Sequence, residues 1–339
     1  MAHIARGMGL GKVGMRLACG LMALALTACV SPARRAESLA RKGGMTPLVL
    51  RGGPFELRAF AVSRAPRDLL IVYIDGDGSP WIDGGRRISA DPTPRVPLAL
   101  DLALETPGSV LYLGRPCYFA LQGQPVCSPV WWTSRRYSTA VVASLVAAAS
   151  RYAAAHHFQR VLLVGYSGGG TLAALMARTM PDVAGLVTIA GNLDPPAWTR
   201  WHGYLPLIGS LDPAREPPPR DLPQWDLVGG SDTNVPFRVV KQYFARVPSA
   251  RVWRYPGFGH VCCWVRAWPL ALKTILAELR APRGSQPGAV SRVPSAGRQP
   301  DRAPWRWRSR QPAERAADAH ARALVPAGTL YHCVSALSR

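Results

Sequence analysis

The sequence predicts an α/β fold, a mostly parallel, twisted sheet flanked by helices, and three observations carry that reading. Short continuous apolar runs recur with the look of strands buried on both faces, Leu69–Ile74 being the first. Segments of helical length stand between and after them, such as Tyr137–His156. The two kinds alternate along the chain, as crossover connections between parallel strands require.

The elements follow in order. Leu48–Leu50 and Phe55–Val62 read as a hairpin around Gly52-Gly53-Pro54. Leu69–Ile74 and Val110–Leu113 are buried strands, and Tyr137–His156 is an Ala-rich helix. Val161–Val164 is a strand and Thr171–Met180 a helix that Pro181 ends. Val183–Ala190, Trp225–Val228 and Arg251–Tyr255 are further strands, and Val265–Leu279 is the closing helix. Two long connections, 76–108 and 191–222, are rich in Pro, Gly and Trp. Loops of that size usually serve function, and these are expected to cover the site. There is no internal repeat.

The ends differ from this body. The chain has 339 residues, is 48% hydrophobic and carries a net charge of +21. That much apolar material allows a sizeable core. Much of the charge belongs to the ends: Arg6, Lys12 and Arg16 stand without an acid in 1–28, and ten Arg face Asp301, Glu314 and Asp318 in 281–339. The rest is scattered Arg with no basic stripe interleaved with aromatics, so no nucleic-acid partner is expected. Residues 1–28 have a basic stretch, a short apolar run from Leu17 to Leu26 and a small-residue cleavage site, the plan of a secretory leader. Leu26-Thr27-Ala28-Cys29 resembles a bacterial lipobox, which implies that Cys29 is acylated and anchors the chain in the cell envelope. Val30 behind it favours the outer membrane, facing the periplasm. Residues 29–45 read as a polar tether, 46–280 as the folded domain and 281–339 as a disordered Arg/Pro/Ala-rich tail.

Chemistry concentrates in Gly165-Tyr166-Ser167-Gly168-Gly169, between strand Val161–Val164 and helix Thr171–Met180. A sharp turn from strand to helix lifts a serine above the sheet edge, and glycines on either side avoid collision with neighbouring backbone. The helix N-terminus adds positive potential where an oxyanion would form. Serine is a poor nucleophile without a base. His260, in Gly257-Phe258-Gly259-His260, follows the last strand and precedes the last helix, whereas His156 and His157 end a helix and His202 lies in a long loop. A carboxylate must fix the tautomer of the base. Asp232, in the turn after Trp225–Val228, is the candidate; Asp194 and Asp226 are the alternatives, and Asp232 could instead cap a helix starting near Val235.

The elbow and the order Ser167…Asp232…His260 resemble the α/β-hydrolase superfamily over residues 46–280. Asp75-Gly-Asp-Gly, Asp91-Pro-Thr-Pro, Pro97-Leu-Ala-Leu, Gly114-Arg-Pro-Cys117 and Trp131-Trp-Thr further resemble bacterial lipoprotein hydrolases of unassigned substrate. The resemblance implies an oxyanion hole made by the N–H groups of Gly168 and Asp77. Where the superfamily often has His-Gly, this chain has Asp75-Gly76-Asp77, two carboxylates beside a developing negative charge. They would oppose the reaction unless their side chains point away.

Cys117 and Cys127 bracket a short loop and are disulfide candidates in an oxidising compartment, while Cys262-Cys263 could bridge the His260 loop to another part. No Cys/His cluster has zinc spacing and no phosphate-binding glycine loop is present, so no metal and no cofactor are expected. The expected activity is hydrolysis of an ester, thioester or amide through an acyl-Ser167, on a small-molecule or lipid ester. An acyltransferase with the same triad and a non-catalytic envelope lipoprotein that uses the fold for binding are the alternatives.

Overall fold

The computed structural model describes residues 31–65 and 68–281. The expected leader 1–28, the expected acylated Cys29 and all but the first residue of the expected tail 281–339 lie outside the described residues.

The described chain opens with helix α1, Pro32–Lys42, where a polar tether was expected. Ser31 accepts the Arg34 N–H and Pro32 holds the first turn. Ala33, Ala36 and Ala40 form the buried face, while Arg34, Arg35, Arg41 and Lys42 point to solvent. An apolar stripe of three alanines with Leu39 beside it is faint in a search for large hydrophobic residues, which is why this segment reads as polar.

Strands β1 (Thr46–Gly52) and β2 (Phe55–Val62) form the expected hairpin, paired from Thr46↔Ala61 to Gly52↔Phe55. Strand β3, Leu69–Ile74, enters the long connection, which holds a small ribbon, β4 (Trp81–Ile82) and β5 (Arg87–Ile88), and helix α2, Leu98–Leu104. Then come β6 (Ser109–Leu113), α3 (Thr139–Ala155), β7 (Arg160–Tyr166), α4 (Gly168–Met176) and β8 (Val183–Ile189). The second long connection carries α5, Pro195–His202. Strand β9 (Gln224–Gly229), α6 (Phe237–Arg246), β10 (Arg251–Tyr255) and α7 (Trp264–Arg280) complete the fold.

The eight-stranded sheet runs β1-β2-β6-β3-β7-β8-β9-β10. From β6 to β10 every neighbouring pair is parallel, and β1 and β2 close one edge antiparallel. Strand β3 leads outward to β6, and the chain then returns past it to β7. Sheets of this kind carry their crevice at the carboxyl ends of the strands where the winding reverses. Here those ends are β3 and β7, paired through Ile74↔Gly165. Helix α4 is buried along its whole length, and α7 buries Trp264, Trp268, Leu272 and Ile275 on one face.

Candidate active site

Ser167 stands between β7 and α4 with φ 53° and ψ −121°, a strained conformation for a residue with a side chain. The turn is held by Ser167 N–H to the Ile189 carbonyl at 3.0 Å and by the Asn192 and Gly170 N–H groups on the Ser167 carbonyl at 3.0 and 2.9 Å. A Cβ at Gly165 would overlap the Gly169 carbonyl, and one at Gly169 would overlap the Ile74 carbonyl, so the elbow needs glycine at both.

The loop after β10 brings His260 to the serine. Its Nε2 lies 2.9 Å from Ser167 Oγ, and its Nδ1 lies 2.8 Å from Asp232 Oδ2. Tyr166 OH and Trp264 Nε1 both donate to the His260 carbonyl, at 3.2 and 2.9 Å, and the Tyr166 ring lies 5.3 Å from the imidazole. Asp232 is buried, and its second oxygen, Oδ1, accepts the N–H groups of Asn234 and Val235 at 2.8 Å each. The turn-capping and histidine-facing readings of Asp232 therefore hold together, one on each oxygen.

The other candidates are placed elsewhere. Asp194 caps α5, accepting the Ala197 N–H at 2.9 Å. Asp226 lies inside β9, where Thr188 Oγ1 and Gln224 Nε2 donate to it at 2.5 and 2.8 Å. His202 bonds the Asn234 carbonyl at 2.7 Å, which ties the cover segment after β8 to the Asp232 loop.

The two aspartates after β3 have different surroundings. Burial pushes the Asp75 carboxyl up to about 7, against the pull of the Gly76 N–H and the Tyr112 hydroxyl. Burial would raise Asp77 as well, but the guanidiniums of Arg136 and Arg115 hold it well below the usual carboxylate range. Its oxygens accept Arg115 Nη1 at 2.6 Å, Arg136 Nη1 at 2.8 Å and Tyr137 OH at 2.7 and 2.8 Å. The Asp77 side chain is thus turned into a cationic cage, which answers the objection its charge raised. Gly76 and Gly168 adjoin the serine elbow: a Cβ on Gly76 would lie 3.3 Å from Ser167 Cβ, and one on Gly168 would overlap Asp77 Oδ1. Among the described residues, neither the Asp77 N–H nor the Gly168 N–H donates to any acceptor.

Cys117 and Cys127 are disulfide-bonded, with Cα atoms 5.6 Å apart. Cys262 is bonded to its neighbour Cys263, so the His260 loop is not bridged to a distant segment as the sequence had allowed. Arg115, Arg136 and Tyr137 were missed as site residues. Their only trace in the sequence is that Arg115 belongs to Gly114-Arg-Pro-Cys117 and that Arg136 and Tyr137 follow Trp131-Trp-Thr. No helix among the described residues is long and apolar enough to cross a membrane.

No family model matches the chain, and no curated protein matches it. Its structure is similar to that of a membrane phospholipase A described as a bacterial virulence factor, at 16% identity and a TM-score of 0.50, over 81% of this chain and 100% of the other. A proline iminopeptidase of Mycobacterium smegmatis matches at 12% identity and a TM-score of 0.51, over 68% and 96%. An esterase of Pyrococcus furiosus matches at 12% and 0.50, over 70% and 91%. At such identities what is shared is architecture, and that architecture is the α/β-hydrolase fold.

Proposed function

We propose that the protein is a serine hydrolase that cleaves an ester, thioester or amide through an acyl-Ser167 intermediate. The observation that carries this reading is the unbroken chain from Ser167 Oγ through His260 to Asp232, at 2.9 and 2.8 Å, on a strained elbow.

His260 Nε2 takes the hydroxyl proton as Ser167 Oγ attacks the carbonyl carbon, and the carbonyl π pair moves onto oxygen. Asp232 holds the Nδ1 proton and stabilises the imidazolium. The Gly168 and Asp77 N–H groups are the donors we assign to the oxyanion, and neither donates to another acceptor among the described residues. Collapse expels the alcohol, thiol or amine, which takes its proton from His260. Water then attacks the acyl-enzyme by the same route, leaving the acid and free Ser167.

Labelling of the full-length chain with a fluorophosphonate tests this directly. The phosphonyl group is expected on Ser167, and Ser167→Ala is expected to lose both the label and turnover of a chromogenic ester while staying folded. Undiminished turnover in that variant would end the mechanism.

A further inference from the structure

Asp77 is held on every polar atom but one. Arg115, Arg136 and Tyr137 take its two carboxylate oxygens, and Tyr118 OH donates to its backbone carbonyl at 2.9 Å. What remains is the N–H. The clamps are themselves clamped: Arg115 Nη2 donates to the Arg136 carbonyl at 3.0 Å, and Arg136 Nε to the Thr133 carbonyl at 2.7 Å. The Cys117–Cys127 disulfide pins the loop that carries Arg115 and Tyr118. On the other side, a Cβ on Gly78 would overlap the Pro92 carbonyl, and Thr93 Oγ1 accepts the Phe119 N–H at 2.7 Å. Three further strings thus converge on the Asp75-Gly-Asp-Gly turn: Asp91-Pro-Thr-Pro, Gly114-Arg-Pro-Cys117 and Trp131-Trp-Thr.

We propose that Arg115, Arg136 and Tyr137 are positioning residues for the Ser167 reaction: by clamping the Asp77 carboxylate they fix the Asp77 N–H as an oxyanion donor. The inference rests on the acyl-Ser167 reading. It gives the cage a second effect, because two guanidiniums against one carboxylate leave a net positive charge behind the developing oxyanion. A buried ion cluster that only held the fold together would be a poor use of these groups, since apolar side chains of similar volume commonly do as well.

The test compares Arg136→Met, which removes a clamp and its charge, with Tyr137→Phe, which removes hydrogen bonds at constant shape. Both are measured in the full-length chain on a chromogenic ester. Rates are normalised to sites titrated by fluorophosphonate, so that loss of folded protein does not count. Arg136→Met should lower kcat about tenfold to a hundredfold and Tyr137→Phe by about threefold to tenfold, with KM within about threefold of wild type. A trifluoromethyl ketone, which forms a tetrahedral oxyanion adduct on serine, should bind more weakly by the factor lost in kcat/KM, and the carboxylate product should bind as before. Should Arg136→Met not fold, Tyr137→Phe decides. A kcat per titrated site within about twofold of wild type, or an unchanged ketone affinity, overturns the clamp. A wild-type chain that takes no label overturns the Ser167 reading itself and this inference with it.

Discussion

Asp232 divides its two oxygens between tasks that an amide cannot both perform. Oδ1 accepts the turn N–H groups, which an Asn oxygen would still do, but the Asn nitrogen would then face His260 Nδ1 with a donor. The imidazole would be driven to the wrong tautomer. Asp232→Asn is expected to lower kcat by about 10⁴ with little change in melting temperature. Asp194→Asn should change turnover little, because Asn caps a helix about as well as Asp. Steady-state rates of the two purified variants check this, and the reverse ranking would move the acid to the loop after β8. Ser167, Asp232 and His260 were legible in the sequence because each sits in a glycine-bearing turn directly after an apolar run. The cage around Asp77 was not, since Arg115 and Arg136 stand 38 and 59 residues away. Nothing local to an arginine tells which distant carboxylate it will meet.

Strands β3 and β9 each bring an aspartate into the sheet interior, and this gives them a common dependence on pH. Burial pushes both Asp75, just past the end of β3, and Asp226, in the middle of β9, from 3.8 to about 7. Between those limits the folded chain keeps protons that the unfolded chain releases. Stability therefore falls as pH rises from about 4 to about 7. Burial raises Asp101 and Asp212 as well, so melting temperatures of the wild type should decline over that range, and Asp226→Asn should flatten the decline by removing one of the protons the fold retains. Parallel curves for wild type and variant would refute the assignment. The eight strands of the main sheet were legible to within a few residues, because continuous apolar runs mark doubly covered strands, whereas the two-residue ribbon β4–β5 was not read. The short helices were harder. Helix α2 buries Leu98, Leu100 and Leu102, and α5 opens on two prolines inside a loop-like composition, so neither shows an amphipathic period over enough turns to read. Helix α1 failed for a related reason, having three alanines and a single leucine on its inner face.

For the molecule as a whole, α1 changes what an acylated Cys29 would mean. A free tether over 29–45 would let the domain stand up to about 55 Å from its lipid. With α1 beginning at Pro32 and packed through Ala33, Ala36 and Ala40, only three residue steps separate Cys29 from folded structure, a reach of about 10 Å. We propose that acylation at Cys29 holds the hydrolase domain against the bilayer surface and limits it to substrates in or near that layer. One acyl chain binds a membrane only reversibly, so stable anchoring needs the further chains that lipoprotein maturation adds. In a bacterial host the full-length wild type should therefore take up a palmitate analogue and fractionate with membranes. Cys29→Ala should take up none and persist as an uncleaved precursor, because cleavage at a lipobox waits for the modified cysteine. Label retained by Cys29→Ala would show that the acyl group sits elsewhere. An unlabelled wild type would remove the anchor altogether, and the domain would then meet its substrate free in solution. Neither outcome would touch the Ser167 chemistry, because the elbow, the base and the clamp around Asp77 all lie within the folded domain.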